Sequence, residues 1–265
     1  AVVVGDRVVV ERQEDGAYTI EGVEPRRTEL ARRAPRKGGQ RAKVLVANVD
    51  QLVAVFAAAN PTPKLRLLDR FLVLAESSGL EAVVVANKAD LATEGSEAAA
   101  SVAAMASYAG LGYRVVRTSV KTGEGLEALR AVVCGRITVF AGPSGVGKSS
   151  LLNALQPGLA LRTGAVSEAG GKGRHTTVAA RLIPLDCGGY VADTPGLREL
   201  GLWGIEPSEL DLCFPEFRPF LDECRFGRSC THTHEPGCGV SAAAAAGEIP
   251  VSRLESYRAL LAGDE

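Results

Sequence analysis

The sequence predicts an α/β fold built on a mainly parallel sheet, and three observations carry that prediction. Between residues 42 and 205, short apolar runs alternate with segments whose apolar residues recur at helical spacing. That is the pattern of strands joined by crossover helices. Gly142-Pro143-Ser144-Gly145-Val146-Gly147-Lys148-Ser149 fits G-x-x-x-x-G-K-S, and it lies between a strand-like ITVFA and a helix-like KSSLLNAL. Asn87-Lys88-Ala89-Asp90 fits Asn-Lys-x-Asp and follows a strand-like EAVVVA.

The elements follow in order. Residues 2–10 and 17–23 are β-rich, with a turn at Glu14-Asp15-Gly16, and read as a hairpin of a small barrel. The opening AVVVGDRVVV reads as the middle of a β domain, so the barrel is expected to lack its first strands. Residues 26–43 hold eight Arg or Lys against one Glu. With its Gly and Pro, this stretch reads as a loop or linker, and its local charge of +7 (eight minus one) suits contact with an RNA backbone. Residues 44–46 and 52–56 read as strands, 64–78 as a helix and 82–86 as a buried strand. A helix at 96–109, a strand at 113–117 and a helix at 125–133 follow. A strand at 137–141 leads into the glycine loop and a helix at 148–155. Beyond about residue 205 the alternation stops, Pro, Phe, Cys and His dominate, and the chain closes on a helical VSRLESYRALLA. The resulting division is 1–41 (partial barrel and basic loop), 42–205 (α/β core) and 206–265 (a small, mainly helical, Cys/His-containing domain).

Composition narrows the function classes. Apolar residues at 46% and charged residues at 23% exclude a wholly disordered chain. No apolar run approaches the roughly 18 residues of a membrane span, and no basic-then-apolar leader is visible, so a secreted or membrane protein is not expected. Three of the six Cys crowd between 224 and 238, which suggests a metal site rather than disulfides. Cys134, Cys187 and Cys213 show no pattern and read as core or incidental.

The glycine loop is a phosphate site. Its glycines let backbone N–H groups close around phosphate oxygens, and Ser150 continues the turn into the helix. Lys148 reaches the β- and γ-phosphates, and Ser149 offers a hydroxyl to Mg²⁺. Asp193-Thr194-Pro195-Gly196 follows the strand-like GGYVA about fifty residues later. Asp193 suits a water on Mg²⁺, and the Gly196 N–H suits the γ-phosphate. Between them, GGKGRHTT has the character of a mobile switch in which Thr176 or Thr177 ligates Mg²⁺ when the γ-phosphate is present.

The loop alone does not choose between ATP and GTP. Asn87-Lys88-Ala89-Asp90 does, because Asp90 can accept from guanine N1 and N2 donors that adenine lacks. Thr118-Ser119-Val120-Lys121 follows another strand end and can offer a backbone N–H to guanine O6. These base-reading elements precede the phosphate elements in the chain, the reverse of the usual order. Joining the usual termini and cutting elsewhere keeps every strand neighbour, so the sequence predicts a circularly permuted P-loop GTPase core.

VGDRV, NKAD, GPSGVGKSSLLN, GRHTT, DTPG and the Cys/His cluster, in that order, resemble the circularly permuted ribosome-assembly GTPases of the RsgA (YjeQ/YloQ) type, over essentially the whole chain. The resemblance implies an N-terminal OB-type barrel, a permuted GTPase core and a C-terminal zinc domain. It further implies GTP as substrate, Mg²⁺, one structural Zn²⁺, and a small ribosomal subunit with its rRNA as partner, for a monomer in a bacterial cytoplasm or a chloroplast stroma.

Cys224, Cys230, His232 and Cys238 give C-x5-C-x-H-x5-C, a complete tetrahedral zinc set with no open position. His234 competes for the imidazole position on the residues alone, and the resemblance favours His232. The family ordinarily has four residues between the first two Cys, whereas five stand here, Arg225 to Ser229. Leu197 follows Gly196 where many GTPases place a water-orienting Gln. His175 of GRHTT is the local candidate for that duty, and the resemblance marks it as a family feature. Three rivals remain: a guanine-nucleotide-gated rRNA-binding module with incidental hydrolysis; a P-loop ATPase or kinase, against which Asp90 argues; and a permuted GTPase of the large ribosomal subunit, against which the Cys/His cluster and the barrel-like N-terminus argue.

Overall fold

The computed structural model describes residues 2–34, 41–158, 180–193 and 205–263. Strands β1 (Val8–Arg12) and β2 (Tyr18–Val23) pair antiparallel, as the turn at Gly16 leads one to expect. Strands β3 (Glu29–Ala34) and β4 (Arg41–Ala47) form a second antiparallel pair. The basic stretch is therefore largely a strand pair rather than a loop, and residues 35–40 lie outside the described residues. Leu30 and Val46, partners in the ladder, are fully buried, and that contact is what anchors the pair to the core.

The centre is a six-stranded sheet of order β7-β6-β5-β8-β10-β9. Its strands are β5 (Gln51–Ala57), β6 (Glu81–Asn87), β7 (Arg114–Arg117), β8 (Ile137–Ala141), β9 (Arg181–Pro184) and β10 (Tyr190–Asp193). All neighbours run parallel except β9 against β10. Because successive side chains of a strand point to opposite faces, β5 feeds two cores. Leu52, Ala54 and Phe56 pack under helices α1 (Leu65–Ser77) and α2 (Glu97–Ala106). Val53, Val55 and Ala57 pack under α3 (Leu126–Val133) and α4 (Lys148–Leu155). Helix α1 shows the cause of its own placement: Leu68, Phe71, Leu72 and Ala75 recur at i, i+3, i+4, i+7 and are buried.

The C-terminal region is built from short 3₁₀ turns and helices α5 (Gly239–Ala246) and α6 (Val251–Ala262). Phe214, Phe217 and Tyr257 stack at its centre, and Val73 of α1 joins them. A buried polar knot ties α6 to α1. Arg253 donates from Nε to Glu216 Oε1 at 2.5 Å and from Nη1 to Asp69 Oδ1, to which the Tyr108 hydroxyl also donates at 2.5 Å. The Arg253 guanidinium lies 4.5 Å over the Phe214 ring. Removing one member of a buried charge cluster strands the others, at a cost of about 3–5 kcal/mol. Arg253→Met is therefore expected to lower stability by that amount, read as a displaced denaturant midpoint. An unchanged midpoint would show that the knot contributes nothing net.

Candidate functional site

Both base-reading loops and the glycine loop sit at the carboxyl ends of β6, β7 and β8, the edge where open α/β sheets bind ligands. Lys88 is in the left-handed region, φ 58°, which turns the chain sharply out of β6. Two bonds, from Asn87 and Lys88, lock base loop to phosphate loop, and a third joins the two base-reading loops. Asn87 Nδ2 donates to the Val146 carbonyl at 2.8 Å, Thr118 Oγ1 donates to Asn87 Oδ1 at 3.0 Å, and Lys88 Nζ donates to the Gly145 carbonyl at 2.7 Å. Lys88 also donates to the Asn60 carbonyl. Asp90 accepts from Ser119 Oγ at 2.6 Å, which aims the carboxylate, while Lys121 Nζ lies 3.9 Å away. Asn87, Lys88, Asp90, Val120, Lys121 and Gly147 line a cavity of about 440 Å³.

The glycine loop is shaped by contacts only glycine permits. A Cβ on Gly142 would stand 2.1 Å from the Val55 carbonyl oxygen, and one on Gly147 would stand 2.4 Å from Asn87 Nδ2. Both glycines have positive φ, 135° and 99°. Lys148 opens α4 and donates to the carbonyls of Gly142 and Pro143, at 2.7 and 2.6 Å, which holds its ammonium over the loop. Ser149 and Ser150 follow it in the first turn of α4. Asp193 ends β10, and β10 lies beside β8 with Ala192 opposite Val139, so Ser149 and Asp193 belong to the same sheet edge. His175, Thr176, Thr177 and Gly196 lie outside the described residues.

The Cys/His cluster forms as the spacing suggested. Ligand atoms of Cys224, Cys230, His232 and Cys238 all lie within 4.8 Å of one another, and all four residues are buried. A tetrahedral zinc with sulfur bonds of about 2.3 Å separates its ligands by about 3.8 Å, so the cluster fits the ion after a contraction of about 1 Å or less. His232 turns Nδ1 to the sulfurs of Cys224 and Cys238, at 3.6 and 3.3 Å, and its Nε2 lies 3.5 Å from Asp211 Oδ2. Burial disfavours the imidazolium, but the Asp211 carboxylate and the Cys238 sulfur outweigh burial and raise the pKa. Burial also opposes the Cys238 thiolate, yet hydrogen bonds from Ser241 bring its pKa down to about 7. His234 is exposed and bonded to Thr233, so the rivalry for the imidazole position resolves to His232.

Several residues carry the site without a motif to announce them. Asn60 braces the base-reading loop through Lys88, and Asp211 backs His232 from 21 residues away. Glu235 organises the ligand turn. Burial opposes its charge, but donation from the Thr231 hydroxyl and from the backbone amides of Thr231 and His234 holds its pKa at about 2. Cys134 and Cys187, read as incidental, form a disulfide. Their sequence separation of 53 gave no signal, because the β8–β10 pairing brings them together.

Fold and site together define a P-loop guanine-nucleotide domain of permuted strand order joined to a small Cys₃His domain. A sequence profile described as RsgA GTPase matches residues 23–203. A protein of Gemmatimonas aurantiaca called "Small ribosomal subunit biogenesis GTPase RsgA" is 56% identical over 257 residues, 96% of this chain and 81% of that one. A protein of the same name from Moorella thermoacetica is 48% identical over 265 residues, covering 97% and 83%. Among solved structures, YjeQ from Thermotoga maritima superposes with a TM-score of 0.83 at 41% identity, covering 100% of this chain and 84% of that one. YloQ, described as a circularly permuted GTPase, gives 0.78 at 34% identity, covering 100% and 81%. The chain belongs to the RsgA GTPase family.

Proposed function

We infer that this chain is a GTPase of small ribosomal subunit biogenesis that converts GTP and water to GDP and phosphate. The observation that carries the reading is the brace between the two loops. Asn87 and Lys88 of the base-reading motif hydrogen-bond the carbonyls of Val146 and Gly145, so guanine selection and phosphate binding share one frame. The names of the relatives supply the ribosomal setting.

The residues divide the work as follows. Asp90 accepts from guanine N1 and N2. Ser119 Oγ holds that carboxylate, and because its own N–H is taken by the Glu124 carbonyl, guanine O6 is left to the amide of Val120 or Lys121. Ala89 sits buried beneath the base loop, its N–H bonded to the Thr118 carbonyl. The amides of residues 144–149 wrap the phosphates, and Lys148 moves from loop carbonyls to β- and γ-phosphate oxygens. Ser149 and Asp193, with Thr176 or Thr177, would hold Mg²⁺, which would supply charge neutralisation at the leaving phosphate. The Gly196 N–H meets the γ-phosphate. With Leu197 in the position of the usual glutamine, His175 orients the attacking water when the protein is bound to the ribosome. The domain division is 1–41, 42–205 and 206–265. The working state is a monomer in a bacterial cytoplasm, acting on the small subunit and its rRNA, with the basic strands β3 and β4 near the rRNA backbone. The Cys₃His set holds a structural zinc.

The test is phosphate release from GTP and from ATP, with and without purified small subunits. Slow GTP turnover that rises at least tenfold with subunits, and no ATP turnover, is expected. GTP binding with no stimulated turnover would instead favour a nucleotide-gated rRNA-binding module. His175→Ala is expected to cut the stimulated rate roughly a hundredfold, the order for a positioned catalytic group, and to spare GTP affinity. An unchanged stimulated rate would remove His175 from the mechanism.

A further inference from the structure

We infer that Cys134 and Cys187 are a thiol–disulfide modification site that reversibly closes a covalent ring around the phosphate-binding segment. Cys134 ends α3 just before β8, and Cys187 lies in the turn between β9 and β10. The backbone brings them together independently of any sulfur bond. The Gly135 N–H donates to the Gly188 carbonyl at 2.9 Å, and the Tyr190 N–H donates to the Arg136 carbonyl at 2.8 Å. A Cβ on Gly189 would lie 2.4 Å from both N and O of Arg136, so the two turns touch main chain to main chain. The Cα atoms are 5.3 Å apart, inside the range a disulfide accepts. The pair therefore stays in register whether oxidised or reduced.

Both cysteines are partly exposed, so a small disulfide can reach them. The other four, Cys213 and the three of the zinc cluster, are buried. In the oxidising direction, the thiolate of one cysteine attacks a sulfur of a low-molecular-weight disulfide RSSR. One RS⁻ leaves and takes a proton as RSH. The second cysteine thiolate then attacks the protein sulfur of the mixed disulfide and releases the second RSH. Two protein thiols are oxidised to one disulfide, and RSSR is reduced to two thiols.

The ring so closed spans a separation of 53 residues and contains β8, the whole phosphate loop and α4. It is fastened at the amino end of β8, whereas the phosphate loop leaves its carboxyl end five residues on, a distance of roughly 17 Å for a strand. Oxidation thus restrains the unfolded segment without touching the nucleotide contacts. The consequence is resistance to unfolding, not altered affinity.

The full chain would be equilibrated in glutathione buffers of graded poise, acid-quenched, unfolded with chelator, alkylated with N-ethylmaleimide and weighed. Of the six cysteines, four should be alkylated at oxidising poise and six at reducing poise. Cys134→Ser should give five at reducing poise. The oxidised chain should unfold at a temperature roughly 5–15 °C above Cys134→Ser/Cys187→Ser, with GTP affinity equal within twofold. Six alkylated cysteines at every poise, a stable glutathione adduct on either residue, or equal unfolding temperatures would overturn the proposal.

Discussion

Replacing Asp90 with Asn is expected to weaken GTP binding roughly a hundred- to a thousandfold and to admit XTP in its place. The carboxylate accepts from two donors on the guanine edge, and hydrogen bonds to a charged group contribute about 1.5–3 kcal/mol each. Losing the charge weakens the bond from N1, and reversing the other acceptor into a donor forfeits the bond from the 2-amino group and sets two donors face to face; every 1.4 kcal/mol or so is tenfold in affinity. Xanthine carries a carbonyl where guanine carries the 2-amino group, so the Asn amide N–H donates to it while the amide oxygen still accepts from N1. The fold should be indifferent, because the bond Ser119 Oγ makes to residue 90 survives with an amide oxygen as acceptor. Displacement of a fluorescent GTP analogue by GTP, XTP and ATP reads the outcome. Unchanged GTP affinity would mean that Asp90 does not read the base, and the choice of nucleotide would have to lie elsewhere.

The sequence made the site legible where chemistry is local and left it dark where chemistry is assembled. Asn87, Lys88 and Asp90 stand within four residues, and Gly142 to Ser149 form one turn, so spacing alone reports them. Asn60 acts on those loops from beyond the end of β5, and an Asn after a strand is too common to stand out, while Thr118 was read for its backbone and not for the hydroxyl it places on Asn87. The same holds in the metal region: four ligands in fifteen residues announce themselves, while Asp211 reaches His232 only through the fold. The parallel core was readable because β5 and β6 are continuous apolar runs buried on both faces. Strand β3 and the start of β4 were not, though residues 44–46 were read as a strand, because eight cations over residues 26–43 obscure a pairing that buries Leu30 opposite Val46. Cys134 and Cys187 were misread because nothing in a sequence records which strands become neighbours.

Stripping the metal from the Cys₃His cluster, or substituting Cys238→Ser, is expected to unfold residues 211–263 while leaving GTP binding within a few-fold of normal. Structural zinc contributes about 10–16 kcal/mol to small domains of this kind at neutral pH, more than a region of this size draws from its own core. The dependence can be followed atom by atom. Helix α6 is tied to the ligand turn by Tyr257, whose hydroxyl donates to the Thr231 carbonyl at 3.2 Å, and by Arg258, whose Nε donates to the His232 carbonyl at 2.9 Å. The aromatic stack closes on the same ring, with Phe217 and Tyr257 at 6.4 and 5.8 Å from the His232 centroid. Between Phe214 and Cys238 the backbone runs in 3₁₀ turns with no long helix to hold the four ligands together. Without the ion, three thiols and an imidazole remain buried with no partner able to satisfy them all, and the turn that carries them opens. Limited proteolysis of chelated protein should cut first between 211 and 238, and the fragment left should still bind GTP. If chelated protein resists cleavage there, the aromatic stack and the Arg253 knot hold the region alone. The cluster would then serve something other than folding.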